Sequence, residues 1–108
     1  MIIEQIRYYV REEDRDTVLR ARREVVRIRS QIGVPAGQIL VADDGPEGGP
    51  TLIWQCGYAD EGEMGMAEAA LIGHAEYEAA REQLGTLVTR VELELYMGDV
   101  ENEAEAAG

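Results

Sequence analysis

TLIWQCGYAD (residues 51–60), EGEMGMAEAALIGHAEYEAAREQLGTLV (61–88) and TRVELELYM (89–97) together decide the fold. In the first segment Leu52, Trp54, Cys56 and Tyr58 alternate with Ile53, Gln55 and Gly57, which is the period of a strand. Asp60 stands three residues before Glu63, the spacing of a capping box that satisfies free N–H groups at a helix start. Met64, Ala67 and Leu71, then Tyr77, Ala80, Leu84 and Val88, keep helical spacing with an interruption at Gly73–His74. This predicts a kink there, or two helices end to end. In the last segment Arg90, Glu92, Glu94 and Tyr96 alternate with Val91, Leu93, Leu95 and Met97, giving a strand with one charged side and one apolar side.

The first third of the chain repeats this plan. Ile2 to Arg11 reads as a strand, with Ile2, Glu4, Ile6, Tyr8 and Val10 on one side and Ile3, Gln5, Arg7, Tyr9 and Arg11 on the other. A helix is predicted over Thr17–Ile32, with Asp14 or Asp16 as its cap. Val18, Ala21, Val25, Ile28 and Ile32 form its apolar stripe, Arg20, Arg23 and Arg27 line a solvated side, and Gly33 and Pro35 end it. Gln38–Asp43 is a short strand. The loop DDGPEGGP (43–50) is rich in glycine, but acids surround it and no helix follows, so a mobile hairpin connection fits better than a phosphate cradle. GDVENEAEAAG (98–108) reads as an acidic, disordered tail behind a single domain of residues 1–97.

The order strand, helix, strand, strand, helix, strand is the ferredoxin-like βαββαβ plan: an α+β fold with a four-stranded antiparallel sheet and two helices on one face. In the usual order 4-1-3-2, the first and last strands are neighbours, and Arg7 comes opposite Glu92 or Glu94.

Charge narrows the function. The chain carries a net charge of −12, and all ten of its basic residues are arginine. Eight of those arginines fall within residues 1–30, against six acids, while residues 31–108 hold two arginines against sixteen acids. Such a surface repels phosphate backbones, which argues against nucleic-acid binding. No apolar run is long enough to span a bilayer, the first residues lack the features of a secretory signal, and one cysteine forms no intrachain disulfide. A cytoplasmic protein without membrane contact is expected.

Three features carry a family resemblance: Arg7 and Tyr9 in an R-x-Y arrangement, the strand bearing Trp54, and the helix break before an aromatic in GHAEY (73–77). Across residues 2–97 the chain resembles the dimeric α+β-barrel superfamily, which includes NIPSNAP-like and antibiotic-biosynthesis-monooxygenase-like small proteins. The resemblance implies a homodimer whose two sheets pack face to face. Each subunit then keeps a cleft, between sheet and helices or within the barrel, for a small apolar or aromatic molecule, and no cofactor is called for. Haem-degrading members carry an asparagine on the first strand and a tryptophan and a histidine on the second helix. Here the first strand has no asparagine and Trp54 falls on a strand, so haem degradation is not expected.

Candidate site residues follow from the strand faces. Arg7, Tyr9, Glu92, Glu94 and Tyr96 share the polar faces of two neighbouring strands. With Arg90 on the same face, they form either a structural salt-bridge ladder at a dimer interface or the polar floor of a ligand pocket capped by Trp54 or Tyr58. In the alternative enzymatic reading, a cofactor-independent monooxygenase, cyclase or isomerase acts on an aromatic or polyketide-like substrate. Arg7 then holds an anionic oxygen, and Glu92 or Glu94 serves as a base with a raised pKa. His74 is the only histidine. Its place at a helix break fits a structural role better than a catalytic one, though Glu76 and Glu78 lie close in sequence. One histidine and one distant cysteine make no metal site, and Cys56 reads as a small buried hydrophobe.

Overall fold

A computed structural model gives the chain's structure over residues 1–42 and 48–98. Strands β1 (Ile2–Val10), β2 (Gln38–Val41), β3 (Leu52–Tyr58) and β4 (Val88–Met97) form one antiparallel sheet in the order β2-β3-β1-β4. This is the order expected from the sequence. Helices α1 (Arg15–Gln31), α2 (Glu61–Leu71) and α3 (Ala75–Leu87) pack on one face of it.

The boundaries follow from local chemistry. Glu12–Asp14 form a single 3₁₀ turn that feeds α1, so the helix begins two residues before the expected Thr17. Asp14 sits at the cap position but makes no side-chain capping bond. Strand β2 stops at Val41, short of Asp43. Asp60 caps α2 as its spacing foretold, its carboxylate accepting from Glu63 N at 2.8 Å, while Glu63 reaches back to accept from Ala59 N. The interruption at Gly73–His74 separates two helices rather than kinking one: Gly73 takes φ of 82° in the left-handed region, which glycine adopts without strain.

The core lies between β1 and β3 and the helices. Val18 and Val25 of α1 cluster with Leu52, Trp54, Cys56 and Tyr58 of β3, and all of these side chains, with Ile28 of α1, are buried. Each full burial of a large aliphatic side chain contributes about 1.5–3 kcal/mol. The helices leave β4 uncovered. Its apolar row stands on the helix side, opposite Ile2, Ile6 and Tyr8 in register, yet Val91, Leu93 and Leu95 are each about half exposed. The expected loop and tail fall largely on residues 43–47 and 99–108, which lie outside the described residues.

Candidate functional site

The open face of the sheet gathers the charged candidates. Register places Arg7 opposite Glu92, and Tyr9 opposite Arg90. The Arg7 guanidinium bonds Glu94, lies 3.5 Å from Glu92 through Nε, and donates to Gln5 Oε1 at 2.9 Å. Tyr9 donates its hydroxyl to Glu92, Arg90 donates to the same carboxylate at 2.8 Å, and Tyr96 donates to Glu94 at 2.7 Å. Bonds from Tyr9 and Arg90 hold Glu92 below the usual carboxylate range, and bonds from Tyr96 and Arg7 do the same to Glu94. The bond to Glu94 raises Arg7 in turn. A raised carboxylate pKa, as the base reading required, is therefore the wrong direction: both acids are stabilised in their charged form by donors.

Trp54 and Tyr58 do not join this set. Trp54 pairs with Ile6 and Tyr58 with Ile2, so both point to the helix side while Arg7 and Tyr9 point away. The expected pocket, with Arg7 as floor and Trp54 or Tyr58 as cap, is split by the thickness of the sheet. Opposed residues on paired strands share a face, and this register decides the matter.

On the covered side the sheet and helices enclose a cavity of about 440 Å³. Glu4, Tyr8, Arg22, Arg29 and Trp54 line it and are buried, whereas Glu68, Ile72, Arg81 and Leu93 line it and are exposed. The first group forms the floor and the second the rim. Trp54 is fixed at its indole N–H, which donates to Ala36 O at 3.1 Å. Gly37 makes that approach possible. It takes φ of 79°, and a Cβ there would fall 2.4 Å from the indole nitrogen.

Two arginines of α1 reach this floor. Arg29 Nε donates to Pro35 O at 2.7 Å and its Nη2 to the Tyr58 hydroxyl at 2.7 Å, and Tyr58 donates onward to Glu4 at 3.1 Å. Burial pushes the Tyr58 phenol upward, which keeps it protonated as that donor. Arg22 lies over the Trp54 ring, 4.3 Å from its centre, and Arg29 lies 4.8 Å from it. These are cation–π distances. Neither arginine was singled out from sequence. A signal existed: Arg22 falls four residues after Val18 and Arg29 four after Val25, which places both beside the apolar stripe rather than on the side of Arg20, Arg23 and Arg27.

His74 stands at the start of α3, where Nδ1 accepts from Tyr77 N at 3.4 Å, a capping contact. Among the described residues no cluster of three or more potential metal ligands occurs, and no helix is long and apolar enough to cross a membrane.

No protein-family model matches the chain, and no curated protein matches it. Solved structures do. A NIPSNAP family protein from Agrobacterium tumefaciens superposes with a TM-score of 0.73 at 22% identity, over 92% of this chain and 93% of that one. A putative antibiotic biosynthesis monooxygenase from Nitrosomonas europaea gives 0.71 at 15% identity, over 91% and 98%. A dimeric protein of ferredoxin-like fold from Bacteroides fragilis gives 0.67 at 13% identity, over 90% and 95%. These likenesses agree with the resemblance carried by the Arg7–Tyr9 strand, the Trp54 strand and the break at Gly73: the chain has the ferredoxin-like α+β fold found in NIPSNAP-family and antibiotic-biosynthesis-monooxygenase-like proteins.

Proposed function

We propose that this protein binds a small apolar or aromatic molecule in the cavity between sheet and helices, and does so as a homodimer. The observation that carries the binding reading is the cavity itself. Its 440 Å³ lies in the range of small-molecule sites, and its walls combine Trp54, Tyr8 and Tyr77 with aliphatic side chains and a few polar groups. The dimer reading draws on the open face, where Ile3, Leu40 and Ile53 surround the polar ladder, and on a structural neighbour described as dimeric. A face-to-face partner would shield those apolar side chains while leaving the internally paired charges satisfied.

Trp54 is the single tryptophan, so one indole N–H resonance and one emission band report on a residue that lines the cavity. Small aromatic compounds titrated into the protein should shift that resonance saturably, and light scattering at micromolar concentration should return twice the chain mass. A set of aromatic fragments that leaves the resonance unmoved at millimolar concentration ends the binding reading, and a chain mass that stays single at every concentration ends the dimer.

The enzymatic alternative, a cofactor-independent monooxygenase, cyclase or isomerase, keeps one supporting observation. Glu4 places a carboxylate at the cavity floor, where a substrate proton would be taken, a position that Glu92 and Glu94 do not occupy. Conversion of a bound compound by the native chain, lost in Glu4→Gln with binding retained, is the outcome that would favour it.

A further inference from the structure

Resting on the cavity reading, we propose that the bound molecule is an aromatic monocarboxylate and that Arg22 receives its carboxylate. Arg22 is only 4% exposed, and its Nε has no hydrogen-bond partner among the described residues. No carboxylate lies within ion-pair distance of it among those residues. A guanidinium stays protonated in a protein, so burying one without an anion is costly. Arg29, on the same helix, shows the ordinary solution: a carbonyl oxygen, a phenol and, through that phenol, Glu4. Arg22 has only aromatic faces, Trp54 at 4.3 Å and Tyr8 at 5.8 Å. Ring contact of this kind engages the flat of the guanidinium and leaves its in-plane N–H groups free to donate.

The cavity supplies what those donors lack. Its floor holds two arginines against one glutamate, while the rim residues Arg81 and Glu68 offset each other, so the site is positive within a chain of net charge −12. One unmatched positive charge suits a monoanion better than a phosphate dianion. The planar fork of a guanidinium fits the two oxygens of a carboxylate. Tyr8, Trp54 and Tyr77 favour an aromatic body behind that head group.

The test compares 2-naphthoate with 2-naphthamide, which differ in charge and little in shape, by titration against the Trp54 indole resonance. The wild type should bind the acid at least about tenfold more tightly than the amide. Arg22→Met should bring the two within about twofold, and Arg22→Lys should keep part of the preference. Arg22→Met should also melt no lower than the wild type, because it strands no partner, whereas a merely structural arginine would lower the melting temperature on removal. Equal binding of acid and amide by the wild type overturns the carboxylate and leaves the cavity reading standing. Failure of both probes to move the resonance overturns both readings. An acid preference that survives unchanged in Arg22→Met, or in Arg22→Lys should the former not fold, overturns the assignment to Arg22.

Discussion

On the open face of the sheet Arg7 meets two carboxylates and a glutamine, whereas on the covered face Arg22 meets the rings of Trp54 and Tyr8. The first cation lies where water reaches it and has more protein partners than it needs. The second is almost wholly buried at the cavity floor, and among the described residues none accepts its Nε proton. Desolvation sets the difference in consequence. An exposed network gains little per pair because solvent already screens it. A buried polar group is expensive unless matched, so an unmatched one marks a place where something else completes it. The charged ladder that stands out in the sequence is thus the self-sufficient side, and the inconspicuous arginines of α1 border the cavity proposed as the binding site.

Substitutions can break this contrast, the largest effect falling on the covered face. Arg29→Met leaves Tyr58 and Glu4 without their cation, and should cost about 3 kcal/mol in urea unfolding, the scale of a broken buried pair. Adding Glu4→Gln should recover part of that loss, because the stranded charge goes with it. A cost below about 1 kcal/mol would place the covered charges on the same footing as exposed ones.

Gly37→Ala comes next. It forces a side chain onto a left-handed backbone and against the Trp54 indole, so a loss of about 2 kcal/mol is expected from strain and overpacking together. Trp54 emission should shift to the red as the ring is displaced. Unchanged emission with full stability would mean the segment at Gly37 yields without disturbing the cavity wall.

The smallest effect belongs to the open face and is read in acid. Glu92 and Glu94 titrate below their ordinary value in the folded chain, so the unfolded chain binds their protons first as pH falls. Their contribution is complete above the ordinary glutamate pKa of about 4.3 and is lost as pH drops through the lower folded values. Glu92→Gln with Glu94→Gln should therefore flatten the acid limb of the stability curve by removing that contribution at neutral pH, a small one for an exposed network, and should leave stability in strong acid nearly unchanged. Protein concentration must be held fixed throughout, since the proposed subunit association would add to apparent stability. An acid limb as steep in the double variant as in the wild type would assign it to other carboxylates.

Much of the fold is legible in the residues themselves. Alternation in residues 52–58 and 88–97 gives strands, Asp60 with Glu63 gives a helix start, and Gly73 gives the break, because each of these is a local property of backbone and side chain. The pairing of β1 with β4, and of Arg7 with Glu92, follows from the topology. The site was less legible for two physical reasons. Whether Trp54 shares a face with Arg7 depends on the register between strands about fifty residues apart, and a shift of one residue reverses the answer. Arginine is also read by default as a solvated residue, so Arg22 and Arg29 look like surface charge unless their spacing from Val18 and Val25 is weighed above their chemistry. The apolar side of β4 misleads in the opposite sense, since its regular pattern suggests burial that the helices of a single chain do not supply.

The position of β1 at the middle of the sheet carries a consequence for the time course of folding. Its two neighbours are β3 and β4, and its last partner begins at Val88. A ribosome must therefore have released the chain past Val88 before the first strand can gain its second neighbour. Until then Ile2, Ile6 and Tyr8 wait on a strand with a bare edge, exposed to mispairing with any nascent segment of similar alternation. Closure across so long a stretch of sequence places the chain among slow folders for its size.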